Sequence, residues 1–379
     1  MLVGIDGFRP DYRTRVRLPN LERLIARGVR AEWMVPSFPT KTFPNFYTIV
    51  TGLYPGHHGI VSNNIHDPAT GRRFSLSRRE EVQSAMWWGG EPIWLTSARA
   101  GQRSATMFWP GSEAPIGGSH AAYWQTYDES IPGGERIARV LQWLELPRDQ
   151  RPTLLTLYFE HVDIAAHRNP AADQVTSALV QVDGWLGQLL DGLETRALTR
   201  YVNVVVLSDH GMTATSRERT IVLEDYVSPD DVEAIDLSPT IGLNPKPGKE
   251  EAVYTALRRA PHLRVYRSRE TPERWHFRDH PRIPAIVGVV DDGWPLLRRS
   301  AVDAIDAGRR PRVMGEHGYD PQDPSMRALF VAAGPAFRVG AVVPPFENVS
   351  LYNVFARVLG VTPAKNDGDP AVVDHLLKD

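Results

Sequence analysis

Three short apolar runs, each ending in acidic or imidazole side chains, constrain this 379-residue chain more than any other feature. They read LVGID at 2–6, LLTLYFEHVD at 154–163 and VNVVVLSDHG at 202–211. Runs this apolar suit strands buried on both faces, as in a parallel sheet. Stretches of helical period lie between them: LPNLERLIARG (18–28), ERIARVLQWLEL (135–146) and AADQVTSALVQVDGWLGQLLDGL (171–193). The alternation predicts an α/β fold, a mostly parallel sheet with helices on both faces. The stretch at about 217–312 breaks the pattern, being rich in Pro, Arg and Asp with the shorter strand-like runs LRVYRSRE and AIVGVV. It reads as a small inserted α+β subdomain, after which ALFVAAGPAF and a helix around NVSLYNVFARVLG return to the sheet.

In open α/β sheets, ligands bind beyond the carboxyl ends of the strands, where loops and helix N-termini converge. Asp6, Asp163, Asp209 and His210 all stand at such ends. The chain has no cysteine, which excludes disulfides, thiolate metal sites and thiol nucleophiles together. Any metal must then sit on His, Asp, Glu or hydroxyl oxygen. With 43 Lys+Arg against 45 Asp+Glu and no long run of one sign, a broad surface for a stable nucleic-acid complex is not expected, although a small anionic substrate is compatible. No apolar run approaches the roughly 18 residues of a membrane span. The opening MLVGIDG looks like the second half of a buried strand, which raises the expectation of a trimmed, exported protein whose signal segment is absent.

HVDIAAH separates Asp163 and His167 by four residues, so a helix or turn puts a carboxylate and an imidazole on one face at metal-ligand spacing. A solvated ion pair has the same spacing. SDHG lets Asp209 and His210 reach one site if the chain turns before Gly211, but an Asp capping the next turn beside a surface His reads equally. GEHGYDP sets His317 between two glycines, and Asp6 before Gly7 would be a capping residue in most proteins. Taken together, three His and three Asp are what two zinc ions bridged by a substrate phosphate require. A nucleophile is supplied by SFPTKTFPNFYTIVTGLY (37–54) if its helix N-terminus faces the metals. Thr42 fits best, although a plain threonine N-cap is also compatible. Its hydroxyl is a poor nucleophile until zinc lowers its pKa.

The motifs GIDGFRPDY, PTKTFPNFYTIVTGLYPGHHGI with Asn63 and Asn64, WPGSE, YDESIPGGERI, YFEHVDIAAH, VVLSDHGM and GEHGYDP, with KNDGDP as a closing loop, resemble the nucleotide pyrophosphatase/phosphodiesterase family of the alkaline phosphatase superfamily, in a bacterial single-domain form. The resemblance implies an alkaline-phosphatase-like fold and one catalytic domain over 1–379. It implies one zinc on Asp163, His167 and His317 and a second on Asp6, Asp209, His210 and the Thr42 oxygen. The implied reaction is a two-step displacement on a phosphodiester through a nucleotidyl-threonine at Thr42. Asn63 would donate its amide to a phosphoryl oxygen, unless SNNIHD is only an Asx-turn. Phe43 and Tyr127 would sandwich a nucleobase, with Tyr158 lining the same slot, which favours small nucleotide substrates. The long segment at 109–129 favours nucleotides over lipids. His161 departs from the family's commoner acidic-proline version, and no cysteine-rich or nuclease-like module is present. The competing expectations are a phosphomonoesterase or other bimetallic member of the superfamily, against which the missing arginine after Thr42 speaks, and a metal- and nucleotide-binding protein without turnover.

Overall fold

The structure is a computed structural model that describes residues 1–170 and 173–378. Eight strands form the central sheet: β1 (Leu2–Ile5), β2 (Gly28–Ala31), β3 (Ser104–Met107), β4 (Tyr123–Gln125), β5 (Leu154–Phe159), β6 (Val204–Leu207), β7 (Phe330–Ala333) and β8 (Ala341–Val343). Their spatial order is β8-β2-β7-β6-β1-β5-β3-β4. Only β7 runs against its neighbours β2 and β6; every other pairing is parallel. Every residue of β1, β5 and β6 is buried, as their unbroken apolar sequence requires. Those three adjacent strands carry the three acidic ends found in the sequence to one edge of the sheet.

Two separate groups of helices cover the sheet, as expected from the sequence. α1 (Pro19–Ala26), α4 (Gly133–Leu144) and α6 (Asp173–Thr195) pack together, while α2 (Thr42–Thr51), α3 (Ile93–Arg99) and α7 (Leu351–Leu359) form the other group. The first two residues of the helical run predicted at 171–193 lie outside the described residues. α5 (His161–Arg168) is a short helix directly after β5. α2 is buried almost all round and stops at Gly52, whose φ of 66° gives the left-handed turn that glycine adopts without a Cβ clash. It lies close to β1 because residue 4 is glycine. A Cβ there would stand 2.6 Å from the Phe46 ring.

After β6 the strands Thr213–Ser216 and Val313–Glu316 pair antiparallel, forming the neck of an excursion from the main sheet. Beyond it, four antiparallel strands lie in the order Val232–Asp236, Thr240–Pro245, Ile286–Val290, Leu263–Arg267. The helix Glu250–Leu257 packs on them, and Ile241, Leu243, Val253, Leu257 and Ile286 belong to a core separate from the main one. Among the described residues, no helix is long and apolar enough to cross a membrane.

Candidate metal centre

The end of β1 delivers Asp6, the first turn of α5 delivers Asp163, and the residues after β6 deliver Asp209 and His210. α5 packs on the neck strand Val313–Glu316, so His167 from the helix and His317 from just beyond the strand meet at the same place. Asp163, His167 and His317 form one group whose ligand atoms all lie within 4.8 Å of one another, and Asp6, Asp163 and His210 form a second. Asp209 Oδ2 is 2.9 Å from His210 Nε2. The structure thus gathers all six residues, with Asp163 between the two halves.

The hydrogen bonding of the imidazoles fixes their tautomers. Nδ1 of His167 contacts the Gly315 carbonyl at 2.8 Å, that of His210 the Gly211 carbonyl at 2.8 Å, and that of His317 the Thr40 carbonyl at 2.9 Å. A carbonyl oxygen only accepts, so each Nδ1 carries the proton and each Nε2 presents a lone pair to the cluster. The carboxylates are left in need as well: Asp6 Oδ1, Asp163 Oδ1 and Asp209 Oδ2 are buried without a hydrogen-bond partner. Three lone pairs and three orphaned oxygens converge, more acceptors than the Thr42 hydroxyl, 3.3 Å from His210 Nε2, can answer. Metal cations would satisfy such a set, and nitrogen and oxygen ligands fit zinc.

The electrostatics agree. Burial, and then repulsion from Asp209 and Asp163, raises the Asp6 carboxyl well above the usual range, and burial followed by Asp163 does the same to Asp209. Burial, and then His210 and His167, pushes His317 well below the ordinary imidazole value. It stacks on His210 with ring centroids 3.6 Å apart and planes within 9°, an arrangement open to neutral rings.

Thr42 is the first helical residue of α2, and the N-cap is Lys41 in an extended conformation. The threonine hydroxyl therefore does no capping; it lies 3.3 Å from His210 Nε2. Asn63 Oδ1 accepts the Phe43 N–H at 3.0 Å, so the side chain is bonded to the first turn of α2 through its oxygen and not its NH2. The half-buried Phe43 ring rests on Phe74 and Trp88, with centroids 5.8 Å away in each case. Tyr127 meets Phe108 at 5.3 Å and Tyr158 at 6.3 Å. Tyr158 is buried, and its hydroxyl donates to Asp6 Oδ2 at 2.5 Å. It therefore meets Tyr127 with its ring and the carboxylate cluster with its oxygen.

Sequence reasoning missed the residues that hold these groups. Thr40 ties the Thr42 turn to the His317 turn: its carbonyl takes the His317 N–H, and its hydroxyl donates to Tyr319 O at 2.9 Å while accepting the Gly318 N–H at 3.0 Å. Glu113 accepts the Tyr127 N–H at 3.2 Å. Arg136, with no exposed surface, grips Glu160 through two bonds of 2.7 and 2.8 Å and also donates to the Tyr158 carbonyl. It locks the junction of β5 and α5 that aims Asp163. The legible signal was an arginine on the apolar stripe of α4, next to Ile137 and one turn before Val140.

The model of the family described as type I phosphodiesterase/nucleotide pyrophosphatase matches residues 1–320. The chain is 37% identical to ectonucleotide pyrophosphatase/phosphodiesterase family member 3 of Rattus norvegicus over 100% of its own length and 44% of that protein. It is 38% identical to a venom phosphodiesterase of Naja atra, again over 100% of this chain and 46% of the other. The chain thus spans less than half the length of these relatives. Among solved structures, murine ectonucleotide pyrophosphatase/phosphodiesterase 5, in an inactive threonine-to-alanine form in complex with AMP, superposes with a TM-score of 0.93 at 35% identity, covering 99% of this chain and 98% of that one.

Proposed function

This chain belongs to the type I phosphodiesterase/nucleotide pyrophosphatase family, and on that premise we propose that it hydrolyses phosphodiester and pyrophosphate bonds of nucleotides, for instance a nucleoside triphosphate to the monophosphate and pyrophosphate. The observation that carries the reading is the Thr42 hydroxyl 3.3 Å from His210 Nε2, at a helix start, beside three carboxylates with orphaned oxygens. We assign one zinc to Asp163, His167 and His317, and the other to Asp6, Asp209, His210 and Thr42 Oγ1. When bound, the two ions would supply Lewis acidity, easing deprotonation of the Thr42 hydroxyl near neutral pH and offsetting charge on the leaving oxygen.

In the first step Thr42 Oγ1 forms a bond to phosphorus while the bond to the leaving oxygen breaks, and pyrophosphate departs with the electron pair. In the second, water attacks the same phosphorus and Thr42 Oγ1 leaves, releasing the nucleoside monophosphate. The N-terminus of α2 offers the Thr42 backbone N–H to a phosphoryl oxygen, the Phe43 N–H being held by Asn63. Asn63 adds its amide, a neutral donor where charge accumulates. Phe43 and Tyr127 grip the base by stacking, worth about 1–3 kcal/mol and tolerant of any base. Tyr158 lines that slot and holds Asp6 through its hydroxyl. The complex of the murine relative with AMP supports a nucleotide substrate. We read residues 1–379 as one catalytic domain with an insertion at about 217–312. The names of the relatives, ectoenzymes and venom enzymes, support an exported protein.

The test compares ATP and p-nitrophenyl thymidine monophosphate with p-nitrophenyl phosphate, with zinc or chelator, for the wild type and Thr42→Ala. AMP plus pyrophosphate, a preference for the diester, and loss of turnover in both the chelated and the substituted protein are expected. Preferred monoester cleavage would move the chain to the phosphatases of the superfamily.

A further inference from the structure

We propose that Asp236, from the inserted sheet, is a positioning residue that holds the Thr42 turn and the Asn63 turn in register through one carboxylate; this rests on the phosphodiesterase reading above. The clue is Lys41. It occupies the N-cap of α2, where a lysine offers no oxygen to the free N–H groups and its charge is repelled by the positive end of the helix. The side chain is also only 7% exposed, which adds a desolvation cost. Such a lysine needs a compensating partner, and Asp236 is that partner: its Oδ2 pairs with Lys41 Nζ.

The same oxygen accepts the Ser62 hydroxyl at 2.5 Å, and Asp236 Oδ1 takes the Leu237 N–H at 3.1 Å. Lys41 directly precedes Thr42, and Ser62 directly precedes Asn63. Asn63 in turn accepts the Phe43 N–H, so the contacts close a ring from Asp236 through Lys41, Thr42, Phe43, Asn63 and Ser62 back to Asp236. The strand of Asp236 shifts register between Ala234 and Asp236, the kind of bulge that re-aims a side chain. The lysine stem passes Gly318, whose φ of +116° suits glycine and where a Cβ would stand 3.0 Å from Lys41 Cε. The lysine is thus fixed against the turn that follows His317 as well.

Losing Asp236 should not release the insertion. Arg282 still binds Asp67 at 2.8 Å, Thr240 still bonds the Gly318 carbonyl, and the inserted sheet has its own core. The ring is therefore separable from the fold, and its effect should appear in the chemical step.

The experiment measures Tm, bound zinc, and kcat and KM for p-nitrophenyl thymidine monophosphate in Asp236→Asn, Lys41→Met and the double variant. Small misplacements of reacting groups cost up to about 100-fold, so kcat in Asp236→Asn should fall by about 10- to 100-fold, with KM changing little and zinc still bound. Exchanging a buried ion pair for a neutral pair restores stability, so the double variant should recover Tm while kcat stays low. Recovery of kcat together with Tm, or wild-type kcat in Asp236→Asn, overturns the proposal. If Asp236→Asn does not fold, Ser62→Ala removes only the second arm and should still lower kcat at unchanged Tm; an unchanged kcat there overturns it too. A wild type without metal-dependent diester turnover would sink the phosphodiesterase reading and this one with it, whereas an active wild type matched by Asp236→Asn sinks this one alone.

Discussion

Two buried ionic clusters stand on either side of the start of α5, and they are built on opposite plans. Around Arg136 and Glu160 the two charges face each other in a bidentate pair, and the guanidinium also serves the Ile131 and Tyr158 carbonyls. A few residues on, Asp163 joins Asp6 and Asp209 with one oxygen of each left unpaired, and three histidines turn lone pairs toward them. The first cluster is complete without help; the second stays short of positive charge until protons or cations enter. Burial by itself is therefore no sign of function, and the informative quantity is which lone pairs remain unanswered.

The comparison breaks most visibly at Asp209. Replacing it by Asn should lower diester turnover by about 1,000-fold or more, in line with losing an electrostatic group at the reacting centre. In the chelated protein the same change should raise Tm. A carboxyl whose folded pKa lies above its unfolded value costs stability that grows once the pH exceeds about 4 and continues to grow until the folded pKa is passed. Asn removes that cost and can still accept the Gly7 N–H, which Asp209 Oδ1 takes at 3.1 Å. The gain should thus be larger at pH 8 than at pH 5. A lower Tm for the chelated variant at both pH values would contradict the picture of an unsatisfied cluster.

Glu160→Gln should do the reverse. It leaves Arg136 as an uncompensated buried charge, at a cost of about 3–5 kcal/mol, and the loss of Tm should be similar with zinc and with chelator. If chelation changed the size of that loss severalfold, the two clusters would be one coupled unit and the contrast would dissolve.

Much of this was legible before any coordinates. The strand ends that gather Asp6, Asp163, Asp209 and His210 follow from apolar runs and the crossover logic of α/β sheets, and the helices covering both faces follow from their periodicity. Thr42 could be singled out by its place before a helix, yet whether it capped that helix or faced the Asp and His cluster depended on a single residue of register, which sequence does not fix. The holding residues were invisible for a different reason. Thr40 meets only His317 and the main chain of Gly318 and Tyr319, Glu113 accepts a main-chain N–H, and Asp236 meets Lys41 and Ser62 across more than 170 positions of chain. Such contacts leave no local spacing to read. Arg136 was the exception, since a charge on an apolar stripe demands a buried partner.

The smallest effect separates the clusters by their protons. Asp6 and Asp209, raised by burial and by their acidic neighbours, keep protons in the metal-free protein at pH values where an ordinary carboxyl is ionised. Zinc takes carboxylates, so its binding must expel those protons. Its apparent affinity should then rise with pH, by at most about tenfold per unit for each proton released, and level off once both groups are ionised. His317, held neutral by burial and by the neighbouring imidazoles, has no proton on Nε2 to lose and should not add to the release. Calorimetric zinc titrations in buffers of different ionisation enthalpy would count the protons directly. In Asp209→Asn the count should drop, whereas in Glu160→Gln it should match the wild type, because the Arg136–Glu160 pair is satisfied with or without metal. An equal drop in both variants would mean that the clusters share their protons and that the division between them is wrong.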